Sequence, residues 1–386
     1  MQSERPPFVL WACLWLVPLA PAIVFAVHDL THLDGLLIRD VGQWLGRDFS
    51  AFWLGGKLAL DGGDPYSLPL FFRWIHQSGI TAAEYYMNPP HSLLVMGPLS
   101  LLPYPVALAA WASLGAIVLY LAAKPIVPFD ARWTLALAPA FFFSGQYGLV
   151  AAALWMWSFR PNRAGSGIAA GLLTVKPHLG ILLTPALVAK RRWVQIGVAM
   201  AICAGLLLLA QALFGLTAQY LAEAPETQHQ LLTASSDQPY FAGMVSAFVA
   251  LRHTPFALPG HLLVCAFTLA LLWRVRRLPF EKLCFPLATA TFLILPYAFG
   301  YDMVAVFIGF ASLVHTRWSA MNGAERTAAA FACLSPALTF TGLVAPLLLA
   351  GLWVQVSQLS WANAASPLRP VPSGQREKAP AHGAGR

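Results

Sequence analysis

Apolar runs of roughly membrane-crossing length recur along nearly the whole chain, and they fix the class of fold. They lie near 8–27, 104–123, 133–145, 147–159, 164–175, 178–189, 193–214, 258–273, 283–298, 303–316, 326–342 and 344–359. A helix crosses roughly 30 Å of hydrocarbon with about 20 residues, and in lipid only helices or closed barrels satisfy every backbone polar group. The alternation expected of an outer-membrane barrel is absent. With 58% hydrophobic residues, 10% charged and fourteen tryptophans, the chain cannot keep its apolar surface inside a water-soluble core. The expectation is an all-α integral membrane protein, a multi-pass bundle of about twelve transmembrane helices.

The run 8–27 is read as a retained helix rather than a signal peptide, because it is long and only Arg5, beside Glu4, precedes it. With a cytoplasmic N-terminus and alternating crossings, eighteen of the twenty-four Lys and Arg residues fall on the inner side. The outer side then holds Arg39, Arg47, Lys57, Arg73, Lys176 and Arg252, with eleven of the sixteen acids, so the two sides differ as the positive-inside rule requires. Both termini are expected in the cytoplasm.

Residues 1–360 are expected to form one polytopic membrane domain with two long outer loops, 28–103 and 215–257. Short apolar pieces in these loops, Phe52–Leu60, Leu70–Trp74, His91–Leu102 and Tyr240–Leu251, read as interfacial or re-entrant helices. Residues 361–386, rich in Pro, Gly and charge, read as a disordered cytoplasmic tail. Cys13, Cys203, Cys265, Cys284 and Cys333 lie singly in or beside apolar runs, with no CxxC pair and no histidine at ligand spacing. They read as small buried hydrophobes that imply no disulfide or zinc site; no metal-binding residues are assigned, and no DxD pair appears in the first loop. The net charge of +8 follows the inner loops, so a nucleic-acid partner is not expected.

Chemistry gathers at the outer ends of the helices. Asp48 opens "DFSAFW" at the membrane surface, where partial desolvation raises the basicity of a carboxylate. A turn with Asp61, Asp64 and Tyr66 follows, equally a plain solvated turn; Tyr86 and Asn88 precede two prolines in "YYMNPPHSLL". Gln146 and Tyr147 mark "FFFSGQYGLV", Lys176 and His178 mark "GLLTVKPHLG", and Tyr301 and Asp302 mark "PYAFGYDM". Arg252 and His253 close a short helix in the second long loop. Each polar group at such a depth is costly unless partnered or in a wet cavity. An alternative for Lys176 is snorkelling to the interface or a structural pair with Asp302. Taken together they describe an outward cavity with two carboxylates, a lysine, an arginine and one or two histidines at head-group depth. Transfer of a sugar from a lipid phosphate needs such groups, a cation for the phosphate and a base for the acceptor hydroxyl. Neither GxxxxGK[ST] nor GxGxxG occurs, so ATP drive and nucleotide-sugar use have no support.

The stretches "DFSAFWLGGKLALDGGDPY", "YYMNPPHSLLVMGPLSLLP", "SGQYGLVAAAL", "GLLTVKPHLGILLTPALVAKRRW" and "PYAFGYDM" span residues 47–302. In order and spacing the chain resembles GT-C glycosyltransferases of family 87, the group labelled DUF2029 and typified by actinobacterial mannosyltransferases. The resemblance implies a GT-C-type fold with an extracytoplasmic active site and a polyprenyl-phosphate sugar as donor; the expectation is a bacterial inner-membrane enzyme with a lipid or glycan acceptor and no cofactor. It makes Asp48 the base for an inverting attack, and it gives the departing phosphate to Lys176 and Arg252, with His178 beside them. Gln146, Tyr301, Asp302, Asn88 and Tyr66 become substrate-positioning candidates. A departure from the family pattern is Gln238 in "SSDQPYFAG", where many members carry an Asn-x-Ser pattern. The competing expectation is a transporter or flippase of lipid-linked sugars, which would show internal repeats and polar groups near the midplane.

Overall fold

The computed structural model of the chain describes residues 6–82, 85–127, 132, 144–233 and 243–364. The first apolar run is a rod in two parts, α1 (Phe8–Leu16) and α2 (Ala20–Thr31), joined by a 3₁₀ turn at Val17–Leu19. Pro18 and Pro21 sit at the junction, where each lacks the backbone donor a continuous helix uses. A small antiparallel meander follows, of β1 (Leu33–Asp34), β2 (Leu37–Ile38) and β3 (Gln43–Trp44), with Leu33 opposite Ile38 and Leu37 opposite Trp44. The all-helical expectation had no strands here. Their two-residue length leaves no alternation to read.

The first long loop continues with α3 (Asp48–Leu60), α4 (Leu68–Gln77) and α5 (Leu93–Ser100), close to the expected short helices. Then come α6 (Tyr104–Ala123), α7 (Gly148–Ser158), α8 (Arg163–Leu172), α9 (Leu183–Ala189) and α10 (Trp193–Phe214). The second long loop holds α11 (Thr217–Thr233) and α12 (Ala247–Ala250). The described residues end with α13 (Ala257–Val275), α14 (Cys284–Ile294), α15 (Val304–Arg317), α16 (Gly323–Leu334) and α17 (Val344–Ala364). Boundaries follow local chemistry. Asn322 and Glu325 form a capping box at α16, and α10 stops at Gly215, whose φ of 69° closes the helix in the left-handed region.

Among the described residues, four spans are long and apolar enough to cross a membrane: Phe8–Thr31, Tyr104–Ala123, Trp193–Phe214 and Ala257–Val275. They carry large exposed apolar side chains, such as Val24, Leu208, Phe267 and Trp273 at 66%, 70%, 54% and 66% exposure. In water this surface would drive aggregation; lipid satisfies it. Twelve full-length crossings are not found among the described residues, and the run 133–145 lies almost wholly outside them. The shortfall has a physical origin: 3₁₀ turns at Leu173–Val175 and Pro177–Gly180 break the apolar stretch on either side of Lys176. α7, with 11 residues, covers only about half of the hydrocarbon at about 1.5 Å per residue.

α8 lies along α10 at close range: a Cβ on Gly171 would come within 2.7 Å of Ile202 Cβ and 2.8 Å of Ala199 O. The larger apolar core joins α7, α14, α15, α16 and α17 through Trp155, Phe292, Phe310 and Leu348. A second core, rich in rings, joins α3, α5, α6 and Tyr147. The bundle has two chemically different ends. At one, Lys190 Nζ donates to Arg276 O and Leu278 O (2.6 and 2.5 Å), Arg192 pairs with Glu281, and Arg160 donates to Ala122 O (2.8 Å). At the opposite end of these same helices, turns 144–147, 173–180 and 295–303 come together. The predicted tail 361–386 and Gln238 fall outside the described residues, apart from the end of α17.

Candidate active site

The three turns line a cavity of about 720 Å³ together with α2, the start of α3, residues 85–89 and α11. Asp48 is the first residue of α3, and the geometry of its neighbour aims it inward. Arg47 has φ 43° and ψ −104°, a conformation that costs a non-glycine residue about 1–3 kcal/mol. Its guanidinium holds the strain in place: it donates to both carboxylate oxygens of Asp29 on α2 (3.0 and 2.5 Å) and covers the Phe25 ring at 4.8 Å. From the other side, Ser144 O accepts from Phe49 N at 3.2 Å.

Gln146 Nε2 donates to Asp48 Oδ2 at 2.7 Å. This bond depends on Gly145 at φ 69°, where a Cβ would stand 2.4 Å from Phe49 Cβ and 2.7 Å from Gly46 O. Burial pushes the Asp48 carboxyl above its ordinary range, while the Gln146 bond and the charges of Lys176 and Arg47 pull it back. The result is a carboxylate more basic than an exposed one, with a donor that keeps it oriented.

Lys176 lies between the two 3₁₀ turns, 5% exposed, and its Nζ donates to both oxygens of Asp302 at 2.7 and 2.8 Å. The pairing anticipated as an alternative is therefore present. One of the three ammonium protons remains for a ligand. Nζ also sits 4.9 Å from the Tyr301 ring centroid, and Tyr301 stacks on Phe299 at 5.0 Å. Gly148 makes the close fit possible, since a Cβ there would lie 2.3 Å from Tyr301 O.

Of the residues singled out in the sequence, Asp48, Asn88, Gln146, Lys176, His178, Tyr301 and Asp302 line this one cavity. Tyr66 stands behind the wall, 2% exposed, and donates its hydroxyl to Asn88 O at 2.8 Å. Arg252 is absent from the lining and donates to His253 at 3.0 Å in the turn after α12. Three lining groups, Asn88 Nδ2, Gln146 Oε1 and Ser144 Oγ, are buried and without a partner among the described residues, an arrangement suited to a polyhydroxylated ligand. Ser144, Tyr220, Gln228 and Tyr297 also line the cavity and were not identified from sequence. Ser144 stood inside a quoted motif; Tyr220 and Gln228 sit on α11, whose polar sequence carries little apolar periodicity.

The family model for glycosyltransferase family 87 matches residues 86–296, more than half the chain. Asn88, Gln146, Lys176, His178 and Arg252 fall within that stretch, while Asp48, Tyr66, Tyr301 and Asp302 flank it. No curated protein and no solved structure gives a significant match to the chain.

Proposed function

The chain belongs to glycosyltransferase family 87, and we propose that it moves a sugar, mannose in the simplest case, from a polyprenyl-phosphate donor to a lipid or glycan acceptor at the outer face of a bacterial inner membrane. The observation that carries this reading is the convergence of Asp48 and the Lys176–Asp302 pair in one cavity of a bundle whose longest helices are apolar. In the reaction, the Asp48 carboxylate takes the proton of the acceptor hydroxyl. The acceptor oxygen attacks the anomeric carbon as the bond to phosphate breaks, so the configuration inverts. The departing phosphate takes the electron pair and needs no general acid, because it is a good leaving group.

Lys176 faces the growing phosphate charge with its remaining proton. Asp302 holds the ammonium in position, and Tyr301 walls it off from bulk water. Arg252 takes no part in this scheme. Asn88, Ser144 and Gln146 offer unpaired polar atoms to sugar hydroxyls. A transporter of lipid-linked sugars has no specific support, since membership of the family makes the chain a glycosyltransferase. The test is a transfer assay in proteoliposomes with labelled polyprenyl-phosphate sugars and, separately, labelled nucleotide sugars. Label passing from polyprenyl phosphate into a lipid or glycan product supports the proposal; label passing only from the nucleotide sugar refutes it.

A further inference from the structure

α2 ends in the sequence HDLTH, residues 28–32, just outside the cavity lining. His28 and His32 are four apart, so both rings project from one face of the helix end; the rings stack at 4.6 Å between centroids. β2 is followed by a turn that brings Asp40 to the same place, and one ligating atom from each of the three residues lies within 4.8 Å of the others.

The surroundings of the two rings decide which nitrogen each one can offer. His28 Nδ1 donates to Asp29 Oδ1 at 3.1 Å, and His32 Nδ1 donates to His28 O at 2.9 Å. Each Nδ1 is thus committed to an acceptor, which leaves Nε2 as the ligating atom. A carboxylate or carbonyl on the far ring nitrogen is the usual support of a metal-binding imidazole, because it fixes tautomer and orientation. His28 Nε2 already points at Asp40 Oδ2, 2.8 Å away.

We propose that His28, His32 and Asp40 form a binding site for a divalent transition-metal ion, zinc in type, with water completing a tetrahedron. Two imidazoles and a carboxylate suit such an ion and are a poor set for Ca²⁺ or Mg²⁺. On binding, the proton between His28 Nε2 and Asp40 leaves to solvent, and the metal takes its place. The site ties the end of α2 to the loop after β2. Asp29, which orients His28, also receives Arg47, so the metal braces the residue that precedes Asp48.

The test is a Zn²⁺ titration of chelator-treated, purified protein against a chromophoric indicator, with metal content measured after desalting. One retained Zn²⁺ per chain is expected. His32→Asn and Asp40→Asn, both at exposed side chains, should each lose at least about tenfold in affinity while melting like the metal-free parent. Asp29→Asn keeps all three ligands and should lose about 10–100-fold. No retained Zn²⁺ in the parent, or equal affinity in the parent and both ligand variants, overturns the proposal.

Discussion

Among single side chains, Asp48 carries the sharpest consequences, because its environment works in two directions. Burial disfavours its charge, and Gln146, Lys176 and Arg47 favour it. The acid limb of the transfer rate should therefore follow the Asp48 carboxyl, above the ordinary value of about 3.9. Gln146→Leu removes a donor that stabilises the charged form, so the limb should move to higher pH; an unchanged limb in a pH–rate profile contradicts the assignment. Lys176 and Asp302 are both almost fully buried, so removing one strands the other. Lys176→Met or Asp302→Asn should each cost about 3–5 kcal/mol. The double variant Lys176→Met/Asp302→Leu should melt above either single one, with transfer still absent. These polar residues were legible in the sequence because each interrupts an apolar run. The Arg47–Asp29 clamp was not, since eighteen positions separate partners that only the fold brings together. Arg252 and Tyr66 show the limit of reading a loop: Arg252 lies outside the cavity lining, and Tyr66 reaches it only through Asn88 O.

The secondary elements were legible in proportion to their apolar content. The runs at 104–123 and 193–214 coincide with α6 and α10, because an uninterrupted apolar stretch in lipid has only the helix available. The β1–β3 meander is too short to show a period, and α11 has a mean composition no greasier than a surface helix, so neither was seen. Charge counts could not say that α7, α8, α9 and α14 are short, although their shortness is what leaves room for the cavity turns. The packing of α7 on the 300–302 turn gives a prediction at this level. Gly148→Ala places a methyl group 2.3 Å from backbone Tyr301 O, which cannot swing aside. A loss of about 1–3 kcal/mol is expected, together with slower transfer. Gly197→Ala on α10, where the added Cβ meets nothing within 4 Å beyond its own turn of helix, should melt at or above the parent temperature. Similar melting of the two variants would show that this contact is not the constraint.

The whole molecule is organised by a contrast between its two ends. At one end Lys190 hydrogen-bonds to backbone carbonyls and Arg192 pairs with Glu281 in the connection 276–282, and the cavity with its carboxylates occupies the other. The proposed orientation puts the first end in the cytoplasm, as the distribution of Lys and Arg along the chain suggests. An impermeant thiol reagent applied outside sealed cells should then label a cysteine introduced at position 178, and labelling from the cytoplasmic side alone would reverse the orientation. What makes the molecule an enzyme in this account is one proton acceptor at the cavity wall. The decisive measurement is sugar transfer from polyprenyl phosphate by reconstituted Asp48→Asn protein beside the parent. A loss of at least about 10²-fold is expected, with melting no lower than the parent, because an amide escapes the cost of burying a charge. Parent-like turnover by Asp48→Asn would contradict it.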